Sequence, residues 1–267
     1  AQVRMDVPMS GRTSYRVGGK ADTLLIPENL EALQEILDHG HAEQIPIRII
    51  GGGTNLLVSD RGIRGIVVTL GKGFDDFRII SPLKEGGAKI YVGAGAQVGD
   101  LLRRAAAASL GGLEFLAGVP GTVGGALVMN SGTKEEFIGD VVSSVEVVDG
   151  KGKLWLVPGE DINFSYRKTI YPVLGAIVGA TLLCRNRPKK EILEDIHHRV
   201  RQRKDTQPLN QPSAGSVFQN PSGQSVGQLV EEAGLKGFQI GDAEISKVHG
   251  NFIVNKGQAK ARDIEHL

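Results

Sequence analysis

The residues that could do chemistry in this chain are few, and glycine marks most of the places where they sit. Gly51-Gly52-Gly53-Thr54-Asn55-Leu56 follows the strand-like run 45–50, so successive backbone N–H groups can cradle a phosphate or pyrophosphate there. It is not a Walker-type loop, because no Gly-Lys-Ser/Thr closes it. Gly118-Val119-Pro120-Gly121-Thr122-Val123-Gly124-Gly125 is a second glycine loop, and its Pro-Gly pair predicts a tight turn. Two such loops in one chain suggest a long, phosphate-bearing cofactor lying across both. Between them, Gly93-Ala94-Gly95-Ala96-Gln97-Val98 nearly imitates the dinucleotide fingerprint. Valine stands where that motif needs its third glycine, so a plain strand–turn–helix is the better account.

Two polar clusters lie further on. Phe164-Ser165-Tyr166-Arg167-Lys168 follows a turn, and a guanidinium there could fork onto a carboxylate or phosphate. Read alone, Arg167 is better taken as a surface arginine beside a tyrosine. Ser213-Ala-Gly215-Ser216-Val-Phe-Gln-Asn220-Pro221 places a serine after glycine and before a half-buried β pattern, and Ser216 by itself reads as a turn residue. Other signatures are absent. The six histidines form no HExxH pattern, and no metal site is expected. Asp75–Asp76, Glu135–Glu136 and Glu231–Glu232 are adjacent pairs that point apart, and no G-x-S-x-G elbow occurs. The stretch 185–204 carries eight Lys/Arg against three acids, which reads as a solvated helix ahead of nucleic-acid binding.

The elements that must position these residues alternate. The first third reads as strand 22–27, a helix with Leu30, Leu33, Ile36 and Leu37 on one face that ends before Gly40, strand 45–50 and strand 65–70. Strands at 77–80 and 89–92 and a helix through Val98, Leu101, Leu102 and Ala105 follow. Strands are expected again at 141–148, 154–157 and 175–183, then a basic helix over 191–204. The last third is loop-rich to Pro221, helical over 226–233, strand-like at 251–254 and helical from about Gln258. With 267 residues, 40% apolar and 23% charged, the chain is long enough for about two globular domains. A net charge of +1 draws it neither to nucleic acid nor to an anionic bilayer. No apolar run approaches the ~20 residues of a membrane span. The start lacks a signal-like apolar region, and Cys184 is the single cysteine, so the expected compartment is the cytoplasm. The 37 glycines are about twice the usual ~7% share.

Read in order, the motifs are Thr13-Ser-Tyr-Arg-Val-Gly-Gly-Lys-Ala21, the 51–57 loop, the 116–125 loop, Ser165-Tyr166-Arg167, 213–221, Gly234-Leu-Lys236-Gly-Phe-Gln-Ile-Gly241 and Val248-His249-Gly-Asn-Phe-Ile-Val-Asn255. Together they resemble the UDP-N-acetylenolpyruvoylglucosamine reductase (MurB) family in its shorter, type II form. The resemblance implies an α+β fold: a two-subdomain FAD-binding fold of the vanillyl-alcohol-oxidase (PCMH) type plus a small α+β substrate-binding domain. The expected boundaries are 1–70 and 71–205 for the FAD-binding subdomains and 206–267 for the substrate domain. It implies noncovalent FAD on Gly51, Gly52, Gly53, Thr54, Asn55 and Leu56, on Ala117, Gly118, Pro120, Gly121, Thr122 and Gly124, and on Asn130.

The implied reaction is the NADPH-dependent reduction of UDP-N-acetylglucosamine enolpyruvate to UDP-N-acetylmuramate for peptidoglycan. In that family's pattern Arg167 matches the arginine on the enolpyruvyl carboxylate, and Ser216 matches the serine that protonates C2. Tyr166, Asn220, Lys236 and His249 fall where the family contacts the nucleotide-sugar. No obligate protein partner is expected. The family's second catalytic acid, a glutamate in a Leu-Glu-Pro-Glu-Val-Arg-like segment, has no match up to Asp263-Ile-Glu-His-Leu267. Either the sequence continues or the role is filled differently. Two alternatives stand beside this reading: another flavin oxidoreductase of the same fold, and a catalytically impaired FAD- or nucleotide-binding protein.

Overall fold

A computed structural model describes residues 1–267. In chain order, β1 (Gln2–Pro8) and β2 (Lys20–Ile26) precede α1 (Leu30–Ala42), β3 (Ile47–Ile49) and β4 (Ile63–Val68). β5 (Phe77–Pro82) and β6 (Ala88–Gly93) lead into α2 (Val98–Ala107), β7 (Leu110–Gly111) and the short α3 (Val123–Val128). Next come β8 (Val142–Asp149), β9 (Leu154–Pro158), β10 (Asn163–Ser165), β11 (Lys168–Ile170), β12 (Gly175–Asn186) and α4 (Lys189–Thr206). The chain closes with α5 (Val226–Glu232), β13 (Gln239–Ile240), β14 (Ala243–Ile245), β15 (Ile253–Asn255) and α6 (Ala261–His266). Strands order as β1-β2-β4-β3 in a sheet whose β3–β4 pair is parallel. Two compact units result. One comprises Ala1–Val3, Leu25–Gly51 and Ile66–Val200, the other Arg4–Leu24, Gly52–Gly65 and Arg201–Leu267.

The first unit is built on an antiparallel sheet of order β5-β6-β12-β8-β9, with β7 pairing β12. Period-two alternation puts Ile90 and Val92 of β6, Val145 and Val147 of β8, and Ala180 and Leu182 of β12 into one core. Helix α2 lays Val98, Leu101, Leu102 and Ala105 onto it, and Phe115 and Leu116 join from the segment before the second glycine loop. Each buried leucine or phenylalanine contributes roughly 1.5–3 kcal/mol. Helix α1 starts where Asn29 accepts the Ala32 N–H (2.9 Å) and buries Leu33 and Leu37 against Val68, Phe74 and Val148. It runs through Gly40 instead of stopping before it. A β-carbon there would sit 2.9 Å from Ile47 Cγ1, so this glycine serves close packing, not termination.

The second unit centres on the three-stranded β13-β14-β15 meander, with Tyr15, Val17, Ile245, Ile253 and Ile264 in its core. Asn255 ties this core to the N-terminal segment by donating Nδ2–H to the Tyr15 carbonyl (2.9 Å). Helix α6 begins at Ala261, later than the periodicity predicts. The preceding turn is held by side chains: the Ala259 N–H donates to Asn255 Oδ1 (3.1 Å) and the Gln258 N–H to Asp242 Oδ2 (2.8 Å). The Asp60 carboxylate then accepts the Ala261 and Arg262 N–H groups at 2.9 and 3.1 Å, a well-placed negative cap. No helix is long and apolar enough to cross a membrane.

Candidate active site

Each glycine loop is anchored on one edge and leaves backbone donors unspent on the other. The Ile50 N–H bonds the Val68 carbonyl at 2.8 Å, after which the N–H groups of Gly51, Gly52 and Gly53 donate to no protein acceptor. Gly51 lies directly against Thr122, where a β-carbon would approach Oγ1 to 2.5 Å. Thr122 caps α3 by accepting the Gly125 N–H (3.3 Å). The second loop is pinned to the β6–α2 turn: Val123 N–H to Ala96 O and Gly124 N–H to Ala94 O, both 2.9 Å, and Val98 N–H to Gly121 O, 3.0 Å. Gly124 permits this approach, since its β-carbon would stand 3.0 Å from that of Ala94. Gly118 and Gly121 take φ of +75° and +95°, and the N–H groups of Gly118, Gly121 and Thr122 are unspent within the protein. Clustered, unengaged donors on glycine backbone suit a phosphate-bearing ligand.

Gly53 holds φ +64°, and a β-carbon there would run into the Arg12 carbonyl. Gly53→Ala is therefore expected to cost at least about 2 kcal/mol, from left-handed strain plus the clash. A thermal melt of the ligand-free protein checks this; an unchanged midpoint would mean the loop relaxes freely.

The approach to the second loop rests on an ion network that sequence reading missed. Glu114 is buried, accepts the Gly112 N–H (2.7 Å) and pairs with Arg187 Nη1 (2.8 Å). Arg187 also meets Asp195 (3.0 Å), and Arg199 continues from Asp195 (2.8 Å) to Glu136 (3.0 Å). Asp195 is held below the usual carboxylate range: burial pushes its pKa up, but hydrogen bonds to Arg199 and Arg187 outweigh that. The basic stretch thus spends two half-buried arginines on this network, while His197 and His198 lie exposed on α4.

Tyr166 and Arg167 form the two-residue tip of the β10–β11 hairpin, in which Ser165 pairs with Lys168. Arg167 sits at φ +55°, a conformation most L-residues avoid at a cost of order 1 kcal/mol. Its Nη2 donates to the Gly132 carbonyl (3.2 Å), its guanidinium lies 5.3 Å from the centroid of the exposed Tyr166 ring, and it pairs with no carboxylate of the chain. Asn130 is buried at φ +42°. Its Nδ2 donates to the Ser165 carbonyl and its Oδ1 accepts the Gly139 N–H, both at 3.0 Å.

In the second unit Ser216 is exposed in a loop with no strand, following Gly215 at φ +79°. Its hydroxyl bonds no protein group. The residues after it are clipped to Asn251, whose place in a Gly-Asn-Phe run carries no local signal of that role. The Val217 N–H donates to the Asn251 carbonyl (2.9 Å). The buried carboxamide accepts the Phe218 N–H (2.9 Å) and donates to the Phe218 carbonyl (2.8 Å). A buried asparagine copying a strand's paired bonds is legible only in coordinates. Asn220 Oδ1 accepts the Val226 N–H (3.0 Å) at the start of α5. Lys236 pairs with Glu231 at 2.7 Å.

His249 packs against Phe252 with ring centroids 4.9 Å apart and the planes tilted by 60°, and its Nδ1 accepts the Asn251 N–H (3.1 Å). Burial and then the Lys236 charge lower its pKa from the ordinary value, and an Nδ1 engaged as acceptor also requires an unprotonated ring nitrogen. Because the folded pKa is depressed, the unfolded chain binds the proton more readily. Stability is full above about pH 6.5 and falls as pH drops below it. His249→Gln should flatten that decline in melts between pH 7 and 5; an unchanged slope would assign the loss to other groups.

No cluster of His, Cys, Asp or Glu is arranged to hold a metal ion. A cavity of about 600 Å³ lined in part by Lys84, Phe115, Glu136, Asp140 and Arg185 touches the ion network through Glu136 and holds no residue of either glycine loop, nor Arg167 or Ser216.

The class follows from the first unit and its comparisons: the FAD binding domain family matches residues 21–157, so this is a flavin-binding fold. The UDP-N-acetylenolpyruvoylglucosamine reductase C-terminal domain family matches residues 207–267. A UDP-N-acetylenolpyruvoylglucosamine reductase from Moorella thermoacetica is 41% identical over 266 residues, covering 100% of this chain and 86% of that protein. The one from Bacillus subtilis is 38% identical over 268 residues, with the same coverage. The crystal structure of UDP-N-acetylenolpyruvylglucosamine reductase (MurB) from Thermus caldophilus superposes with a TM-score of 0.86 at 40% identity, covering 99% of this chain and 93% of that one. The chain belongs to the UDP-N-acetylenolpyruvoylglucosamine reductase family. The expected fold class, a PCMH-type FAD-binding domain plus the family's small C-terminal domain, is the fold it has.

Proposed function

We propose that this chain reduces the enolpyruvyl group of UDP-N-acetylglucosamine enolpyruvate with NADPH, giving UDP-N-acetylmuramate for peptidoglycan. The observation that carries the reading is Arg167: a guanidinium on a strained hairpin tip with no acidic partner in the protein. Strain of that kind persists where function demands it, and an unpaired fork matches a ligand carboxylate.

The residues present fit FAD. Two glycine loops meet at Gly51 and Thr122, and their unspent N–H groups would hold its pyrophosphate. When bound, FAD supplies the hydride chemistry that links NADPH to the enol ether. No histidine stands in either loop to tether it, so the flavin is noncovalent. Leu56, Ala117 and Pro120 border the donors and complete the cofactor-binding set with Asn130, whose carboxamide is engaged at both ends within the protein and offers the cofactor no side-chain bond.

Arg167 holds the substrate carboxylate and stabilises the negative charge that develops toward C2. Ser216, exposed and uncommitted, gives its proton to C2. A serine is a weak acid, so the transfer relies on the much greater basicity of an enolate carbon. Tyr166, Asn220, Lys236 and His249 orient the nucleotide-sugar. In this reading the chain is the type II form, divided as 1–70, 71–205 and 206–267, working in the cytoplasm without a membrane, nucleic-acid or obligate protein partner. The match at 207–267 supports the last boundary.

The purified protein is expected to be yellow, and acid precipitation should release all of the colour. Flavin retained in the pellet would contradict the noncovalent assignment. NADPH oxidation should depend on added UDP-N-acetylglucosamine enolpyruvate; oxidation by oxygen alone would indicate a different flavin oxidoreductase.

A further inference from the structure

Asn130 occupies the first position beyond the C-terminal cap of α3, at φ +42°. A left-handed residue there is a common way to end a helix, and glycine, which has no side chain, is the residue that serves that purpose best. Helix termination therefore does not explain the side chain. It is buried, and both ends of its carboxamide are engaged: Nδ2 with the Ser165 carbonyl and Oδ1 with the Gly139 N–H, each at 3.0 Å. Ser165 is the last residue of β10, immediately before the Tyr166–Arg167 tip.

The rest of the tip is tied to the same stretch of chain. Two residues on from Asn130, the Gly132 carbonyl accepts from Arg167 Nη2 (3.2 Å). On the far strand, Thr169 Oγ1 and Tyr171 OH both donate to the Leu127 carbonyl, at 2.7 and 3.3 Å. The hairpin is thus pinned at its base by α3 and at its tip by the turn that follows α3. Of the side chains of the α3 segment, Asn130 is the one that grips the hairpin backbone, two positions from Arg167.

We infer that Asn130 is a positioning residue for Arg167: it fixes the backbone at Ser165 so that the guanidinium is presented at φ +55° to a substrate carboxylate. This rests on the role given to Arg167 above. A fork must meet its carboxylate within a few tenths of an ångström to keep both bonds. A hairpin tip released at one strand loses that registration while its charge stays.

Asn130→Gly is the variant of choice, because glycine takes the left-handed backbone without strain and deletes both bonds. Asn130→Asp is the second, keeping the acceptor for the Gly139 N–H and the left-handed tolerance while losing the donor to Ser165. Three quantities are read on the holoenzymes: the FAD dissociation constant, flavin bleaching by NADPH, and reoxidation by UDP-N-acetylglucosamine enolpyruvate. Both variants should bind FAD within about twofold of wild type, bleach at a near-normal rate, and reoxidise about ten- to a hundredfold more slowly. In an Arg167→Met background, Asn130→Gly should slow reoxidation by less than about threefold further, since the group it positions is gone.

A tenfold weaker FAD affinity would make Asn130 a cofactor ligand and overturn the inference. So would full multiplication of the two effects in the double variant. If Arg167→Met slows reoxidation while both Asn130 variants leave it untouched, positioning by Asn130 is wrong and the role of Arg167 stands. If Arg167→Met itself has no effect, the reading beneath both fails.

Discussion

Ser216→Ala leaves bleaching of the flavin by NADPH near the wild-type rate and slows reoxidation by UDP-N-acetylglucosamine enolpyruvate by about two decades or more, the usual scale for removing a positioned acid. The split follows from the chemistry, because hydride donation by NADPH uses no serine proton, whereas reduction of the enol ether needs a proton at C2. Ser216→Cys should recover part of the loss, since a thiol is a stronger acid of similar reach. Stability should change by less than about 1 kcal/mol, because the serine is exposed and its hydroxyl bonds nothing in the protein. Stopped-flow absorbance under anaerobic conditions separates the two half-reactions. Equal slowing of both would mean a displaced flavin, and lost stability with both intact would return Ser216 to the status of a turn residue.

Arg167→Lys keeps the charge and loses the bidentate fork. The loss should amount to roughly 2–4 kcal/mol of transition-state stabilisation, or about two to three decades in the reoxidation rate. Lysine inherits the φ of +55° and its strain, so the melting midpoint should stay close to wild type, apart from the single bond to the Gly132 carbonyl. An unchanged reoxidation rate would reduce Arg167 to a surface residue beside Tyr166.

Much of this architecture was legible in the residues, for identifiable reasons. β6, β8 and β12 announce themselves as apolar runs, from which Ile90 and Val92, Val145 and Val147, and Ala180 and Leu182 enter one core, and α2 because Val98, Leu101, Leu102 and Ala105 share one face. What escaped is short or two-sided. β1 exposes nearly every residue and so carries no pattern, while β10, β11, β13 and β14 have three residues or fewer. The hairpin that holds Arg167 is defined by bonds to α3 and the turn beyond it, more than thirty residues back in sequence, and no local signal reports such a bond. The same holds for Asn251 clipping Val217 and Phe218, and for Glu114 meeting Arg187. Glycine was the better guide. Gly51, Gly118, Gly121 and Gly124 do stand where backbone must come close or turn left-handed, whereas Gly40 misled because close packing inside a helix and a helix stop look alike in sequence.

The most direct test is a single turnover without oxygen. Holoenzyme bleached by one equivalent of NADPH and freed of nicotinamide is mixed with one equivalent of UDP-N-acetylglucosamine enolpyruvate, and the flavin absorbance and the nucleotide-sugar products are followed together. Full return of the yellow colour, with an equal amount of UDP-N-acetylmuramate formed, is the predicted result. A flavin that stays bleached until air is admitted, with the enolpyruvyl compound recovered unchanged, would contradict the assignment.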